Sequence, residues 1–225
     1  MLLWEMRTDF LYRFIGQDVN AGEQDTMYTC RGGIMMAGRR VIITGVPGVG
    51  KTTVVNGALA RLKEEGITYE SLNFGTFMFE VAQRDKIVKD RDDMRKLDRE
   101  GQKRLQQTAA HAMAQVPGNV LIDTHASVKT PKGYLPGLPE WVLRELMPDT
   151  IILVETDEDQ ILMRRLSDET RTRDREGSRA IAEHQQFNRS IAAAYGMITG
   201  CTIQIVINAD HLLDQATEDM AAALR

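Results

Sequence analysis

Short apolar runs alternate with longer stretches of helical period along the chain, beginning at Val41. Val41-Ile42-Ile43-Thr44 suits a strand buried on both faces and is too short for a buried helix. Val55, Leu59 and Leu62 then recur at helical spacing, with Gly66 placed to end that helix. A short strand at about Tyr69–Asn73 follows, and Phe74-Gly75-Thr76 turns the chain into a helix on which Phe77, Met78, Val81 and Ala82 share a face. From Lys86 to Arg104 both charge signs are densely mixed, which predicts a solvated helical surface. Leu105, Ala109, Met113 and Val116 restore a helical stripe that Pro117-Gly118 stops. Val120-Leu121-Ile122-Asp123 predicts the next strand, and Thr124–Pro139, with three prolines and two glycines, predicts a long loop beyond its carboxyl end. A helix over Glu140–Leu146, a strand over Ile151–Val154 and a helix marked by Ile161, Leu162 and Leu166 come next. A long helix begins near Ser178. Ile203, Ile205 and Ile207 alternate as the last strand, before an amphipathic helix over Leu212–Leu224. Strand and helix in turn predict an α/β fold, a parallel sheet wrapped by helices.

Between the first strand and the first helix lies Gly45-Val46-Pro47-Gly48-Val49-Gly50-Lys51-Thr52, followed by Thr53. The spacing G-x-x-x-x-G-K-[ST] has a mechanical reason. Glycines let the backbone curl so that successive N–H groups point at phosphate oxygens, and the following helix adds its positive end. Lys51 can then reach β- and γ-phosphates, while the Thr52 hydroxyl can ligate Mg²⁺. Asp123 ends an apolar run, where a carboxylate is costly unless a cation meets it. It is therefore a candidate to hold Mg²⁺ through water, the alternative being a turn or capping aspartate. Arg164 to Arg175 concentrates arginines, either as a charged surface helix or as a lid that carries guanidinium groups onto phosphates. The phosphate loop favours the lid.

On the long helix, Ile181, His184, Asn188, Ile191, Tyr195 and Ile198 keep helical spacing but include two polar members that must find partners. The stripe is a candidate wall of a ligand cleft near His184, Gln185, Asn188 and Arg189. His184 alone reads as a satisfied core histidine.

The 225 residues suffice for one domain with a substantial interior. A formal net charge of -4 argues against a protein that coats nucleic acid. Two cysteines, Cys30 and Cys201, suggest neither a disulfide framework nor a cysteine zinc site, which fits a reducing cytoplasm. Ile191–Ile207 is interrupted by polar residues and glycines and changes period midway, so it is no membrane span. Residues 1–38 hold the apolar patch Phe10–Ile15 and a polar stretch, Gln17–Thr26, without sustained period. They lack the basic start and unbroken apolar centre of a secretory signal. We expect a weakly ordered extension there, or a misassigned start with the natural one at Met27, Met35 or Met36.

From about Arg39 to Arg225 the sequence resembles the archaeal-type adenylate kinases. The resemblance is carried by Gly45–Thr53, Asn73-Phe74-Gly75-Thr76, Asp90–Leu97, Asp123-Thr124-His125, Lys129–Pro139, Asp168–Asp174 and Tyr195-Gly196. The lysine-, proline- and glycine-containing motif Lys129–Pro139 discriminates far better than the phosphate loop. The resemblance implies a P-loop NTPase fold with a five-stranded parallel sheet, an insert at about 74–105 that closes on AMP, and a short lid at about 167–177. It also implies Mg²⁺, reversible phosphoryl transfer from ATP to AMP giving two ADP, and a homotrimer. By the same resemblance Asn208–Asp210 lies near the ATP adenine, and Gly75 and Thr76 belong to the AMP site.

We assign the lid role to Arg171 and Arg173, with Arg165 and Arg189 as support and Lys51 as the loop cation. The better-known bacterial enzymes grip AMP phosphate with two arginines, in regions that here read Gly75–Phe79 and Asp123–Ala126. Arg91, Arg95, Lys129 and Lys132 are the candidates to replace them. Rival readings are another small phosphotransferase, of cytidylate or shikimate type, and a regulatory protein that binds ATP without turnover. A GTPase is disfavoured because Asn208-Ala209-Asp210 lacks the N-K-x-D arrangement.

Overall fold

The computed structural model describes residues 38–167 and 177–225. Five strands form one parallel sheet in the order β2-β3-β1-β6-β7, from β1 (Arg40–Thr44), β2 (Tyr69–Asn73), β3 (Asn119–Asp123), β6 (Thr150–Glu155) and β7 (Thr202–Ile207). The order follows from apolar content. The three strands whose central residues are all buried occupy the middle, while β2 and β7, which expose several side chains, take the edges.

Period-2 alternation divides the interior into two halves. Val41, Ile43, Leu121, Ile152 and Val154 face α1 (Lys51–Glu64) and α8 (Leu213–Leu224), whose Val54, Ala58, Leu62, Ala216 and Met220 are buried there. Ile42, Val120, Ile122 and Ile151 face α2 (Phe74–Arg84), α4 (Arg99–Ala114), α5 (Glu140–Leu146) and α7 (Ser178–Thr199). The registers Val41↔Leu121 and Ile42↔Ile122 keep like-facing residues side by side. Each fully buried branched side chain contributes roughly 1.5–3 kcal/mol relative to exposure. Both halves are needed to hold the sheet from either face.

The charged stretch Lys86–Arg104 is mostly the exposed helical surface expected, built from α3 (Arg91–Lys96) and the start of α4, which part at Leu97–Asp98. Asp90 and Asp98 cap them, accepting from the N–H groups of Asp92 and Asp93 and of Gly101 respectively, so each aspartate starts a new helix. Thr124–Pro139 is not an irregular loop. It contains the hairpin β4 (Ser127–Thr130) and β5 (Gly133–Pro136), with Lys129 opposite Tyr134. Its turn Pro131-Lys132 is closed by Thr130, whose hydroxyl accepts from the Lys132 N–H and donates to the Gly133 carbonyl. Gly133 at φ 118° supplies a backbone conformation that a side chain would oppose.

The polar members of the α7 stripe fasten this hairpin. Ser127 Oγ donates to Asn188 Oδ1 at 2.6 Å and lies 3.1 Å from His184 Nε2, all three residues being buried. Tyr134 stacks on Phe187 with ring centroids 4.4 Å apart. At the hairpin's base the Tyr195 hydroxyl donates to the Ala126 carbonyl and accepts from the Leu138 N–H. Burial pushes the Tyr195 phenol up to about 12. His184 is thus a satisfied interior group: with Asn188 and Tyr195 it anchors the hairpin, while the neighbouring Gln185 and Arg189 line a cleft beside β6.

The expected extension falls almost wholly on residues 1–37, and most of the expected lid, 168–176, likewise lies outside the described residues. Among the described residues no helix is long and apolar enough to cross a membrane.

Candidate active site

The loop between β1 and α1 lies where its glycines require. Gly48 and Gly50 take φ values of 92° and 86°, which let consecutive N–H groups turn inward. Gly45 is needed for space, because a Cβ there would meet the Val154 carbonyl oxygen at 2.7 Å and Val49 Cγ1 at 2.9 Å. Gly45–Thr53 line a cleft of about 650 Å³ together with Asn73, Asp123, His125 and Arg164. All nine loop residues expected from the sequence are therefore brought together with Asp123, from the neighbouring strand.

Lys51 Nζ bonds Asp123 Oδ1 across the cleft. Burial pushes the Lys51 ammonium down to about 8. Thr52, the next residue, opens α1 at the rim of the same cleft. Ammonium, hydroxyl and carboxylate thus line the cleft that the loop borders, a constellation suited to a phosphate chain and a hard cation.

Two arginines from α6 (Glu158–Ser167) clasp the loop from outside. Arg164 Nη1 donates to the Val49 carbonyl at 3.0 Å, Nη2 donates to the Asn208 carbonyl at 3.0 Å, and Nε donates to Asp210 Oδ1 at 2.9 Å. Asn208 Nδ2 donates to the same Val49 carbonyl at 2.8 Å. The turn expected near a base and the phosphate loop are therefore tied together through one guanidinium. Arg165 Nε donates to the Pro47 carbonyl at 2.7 Å. Of the pair, the sequence reading singled out Arg165 and passed over Arg164. The signal was available: both residues lie three and four positions beyond buried Ile161, on the helix face turned toward the sheet. Replacing Arg164 by alanine should weaken binding of a nucleoside triphosphate to the loop about tenfold, since a charged donor to the loop is lost. Calorimetry checks this, and an unchanged affinity would remove the loop-clasp role.

The other expected residues are more dispersed. Arg189 is gripped by Glu155, with Nε at 3.0 and 2.9 Å from its two oxygens, and lines a separate cleft of about 430 Å³ beside β6 and α7. Arg91 Nη2 donates to Thr76 Oγ1 at 3.0 Å, and its guanidinium lies 5.3 Å from the Phe79 ring centroid. Gly75 and Thr76 form the first turn of α2, capped by Asn73, whose side chain accepts from the Thr76 N–H. Arg95 belongs to α3, and its side chain is outside the described set. Lys129 and Lys132 sit on the hairpin that α7 anchors, one in β4 and one in its turn. Arg171 and Arg173 lie outside the described residues. His125 lines the cleft without having been assigned a role from sequence. Partial burial, the Lys51 charge and His184 together hold its imidazole below the ordinary histidine range.

Residues 44–182 match the AAA domain family. An adenylate kinase of Methanoculleus marisnigri is 62% identical over 192 residues, 84% of this chain and 100% of its own length. The chain belongs to the adenylate kinase family. A second relative, the adenylate kinase of Methanocaldococcus jannaschii, is 52% identical over 192 residues, with the same shares covered. A shikimate kinase structure from Bacteroides thetaiotaomicron, at 12% identity and a TM-score of 0.50 over 83% of this chain and 98% of its own, shares the fold alone. As a member of the adenylate kinase family, the protein is a phosphotransferase with the phosphate loop of the P-loop kinases.

Proposed function

We propose that this phosphotransferase moves the γ-phosphoryl group of Mg-ATP reversibly to AMP, giving two ADP. The observation that carries the reading is the convergence of the loop amides, Lys51, Thr52 and Asp123 on one cleft, in a chain 62% identical to an adenylate kinase over 192 residues.

Transfer between two phosphates asks for positioning and charge neutralisation more than covalent help. An acceptor phosphate has a second pKa of about 6, so it is already an anionic nucleophile at neutral pH and needs no general base. The loop amides and Lys51 hold the donor's phosphates, and Lys51 must exchange Asp123 for them. Thr52 and Asp123 fit a magnesium ion, since both offer oxygen, the hard donor that Mg²⁺ takes. Among the described residues no group of three or more His, Cys, Asp or Glu could hold a metal, so phosphate and water would complete the shell. When bound, the ion neutralises charge on the β- and γ-phosphates.

Asn208–Asp210 would flank the base of ATP, and Gly75, Thr76 and Arg91 would receive AMP, with Arg95, Lys129 and Lys132 as further cationic candidates. Arg171 and Arg173 remain the proposed lid arginines, excluding water as they close. Arg165 supports the loop through the Pro47 carbonyl. Arg189 joins the phosphates only by leaving Glu155, one bidentate anion partner exchanged for another.

An ADP-formation assay across the four nucleoside monophosphates at fixed Mg-ATP tests the reading. AMP should give the highest rate, and preference for another acceptor would replace it with a related kinase. We place the enzyme in the cytoplasm as a homotrimer, and residues 74–105 and 167–177 as its moving parts. Uncovered Ile205, Ile207, Leu212 and Leu213 beside the β7 edge support self-association. Sedimentation of the full chain should return a three-chain mass, and a monomer would remove the assembly.

A further inference from the structure

His125 lines the phosphate-loop cleft from the segment that follows β3. In the sheet, β3 lies between β1, which leads into the phosphate loop, and β2, which leads into α2 with Gly75 and Thr76. The registers put Ile43 and Asn73 on either side of Asp123. Beyond Asp123 the chain keeps running along β1. Thr124 N–H donates to the Ile43 carbonyl at 3.1 Å, and Ala126 N–H donates to Thr44 Oγ1 at 2.7 Å. Thr124 and Ala126 are buried by this arrangement, and the alternation exposes His125 to the cleft between them.

The backbone that presents this imidazole is firmly held. Its own carbonyl abuts Gly137, where no Cβ could be accommodated, and the next residue is fastened by the Tyr195 hydroxyl. Yet the ring itself makes no hydrogen bond among the described residues. A ring N–H in the cleft, without a partner among the described residues, is available to a ligand that enters between the phosphate loop and the start of α2, the elements that follow the two strands flanking β3.

We propose that His125 is a catalytic residue of this kinase, its ring N–H donating to a phosphate oxygen of the acceptor nucleotide as the phosphoryl group passes across from the Lys51 side. The inference rests on the ATP–AMP reading above and deepens it. It supplies a donor to the acceptor phosphate from a segment, Asp123–Ala126, that carries no arginine.

The experiment compares the full chain with His125→Ala and His125→Gln. KM and kcat are measured with AMP varied at saturating Mg-ATP and with ATP varied at saturating AMP. Mg-ATP binding is followed by calorimetry, as a check that the phosphate loop is intact. Loss of a donor to a charged oxygen should lower kcat/KM for AMP about ten- to a hundredfold in His125→Ala. Calorimetric affinity for Mg-ATP should stay within about twofold, and His125→Gln, which keeps an N–H donor, should recover most of the loss. An unchanged kcat/KM for AMP in His125→Ala overturns the inference. So does a matching loss of Mg-ATP affinity, or a glutamine variant no better than alanine. An inactive wild-type chain would overturn the functional reading and this inference with it, whereas an active wild type beside an unaffected His125→Ala overturns this inference alone.

Discussion

Replacing Lys51 by methionine should cut ADP formation from ATP and AMP by about a hundred- to a thousandfold, the scale of losing a preorganised donor to developing charge. Its ammonium sits among the loop amides, with 15% of its side chain exposed, where opposite charge is weakly screened. Methionine preserves much of the apolar stem but offers nothing to the β- and γ-phosphates. The substitution also strips Asp123 of its cationic partner. Asp123 keeps 36% of its side chain in solvent, so the fold should lose about 1 kcal/mol or less. Parallel rate and melting measurements separate the two effects. A rate within about tenfold of wild type would deny Lys51 its place in the chemistry, and an unfolded variant would deny the stability estimate.

Gly137→Ala should have the largest effect on stability. A Cβ at this position would fall on the backbone carbonyl of His125, and a backbone atom cannot swing aside as a flexible side chain can. The Gly137 N–H donates to the Ala126 carbonyl at 2.8 Å, the same oxygen that Tyr195 holds. Relief must therefore separate the hairpin base from the extension of β3, with loss of these bonds. Overpacking and bond loss together should destabilise by about 3 kcal/mol or more. In a chain of this length that lowers Tm by about 6–12 °C. A melt within about 2 °C of wild type would show that the two segments do not meet as described.

The same two segments separate what was readable in the sequence from what was not. The phosphate loop was legible because its chemistry is local: glycine conformation, amide direction and the lysine all come from nine consecutive residues. The hairpin was hidden. Its prolines and glycines read as loop, whereas the pairing of Lys129 with Tyr134 and the anchoring of Ser127 by His184 and Asn188 depend on a helix 57–61 residues away. Composition also drew attention to the densest arginines, at 171 and 173. Helical phase from Ile161 is the cue that would have turned it to Arg164.

By itself the sequence determined the five strands of the main sheet, most of the helices, the order in which they occur and the period that divides apolar residues between the sheet's two sides. Period 2 and period 3.6 record burial relative to an element's own axis, and Val41, Ile42 and Ile43 divide between the two interiors by that rule alone. Only the tertiary structure decided which polar groups share the cleft. Lys51 meets Asp123 across 72 residues, Arg164 meets Val49 across 115, and His125 reaches the loop's cleft because β3 pairs with β1. Such meetings depend on strand order and register, which emerge when the faces pack together and which no local period encodes.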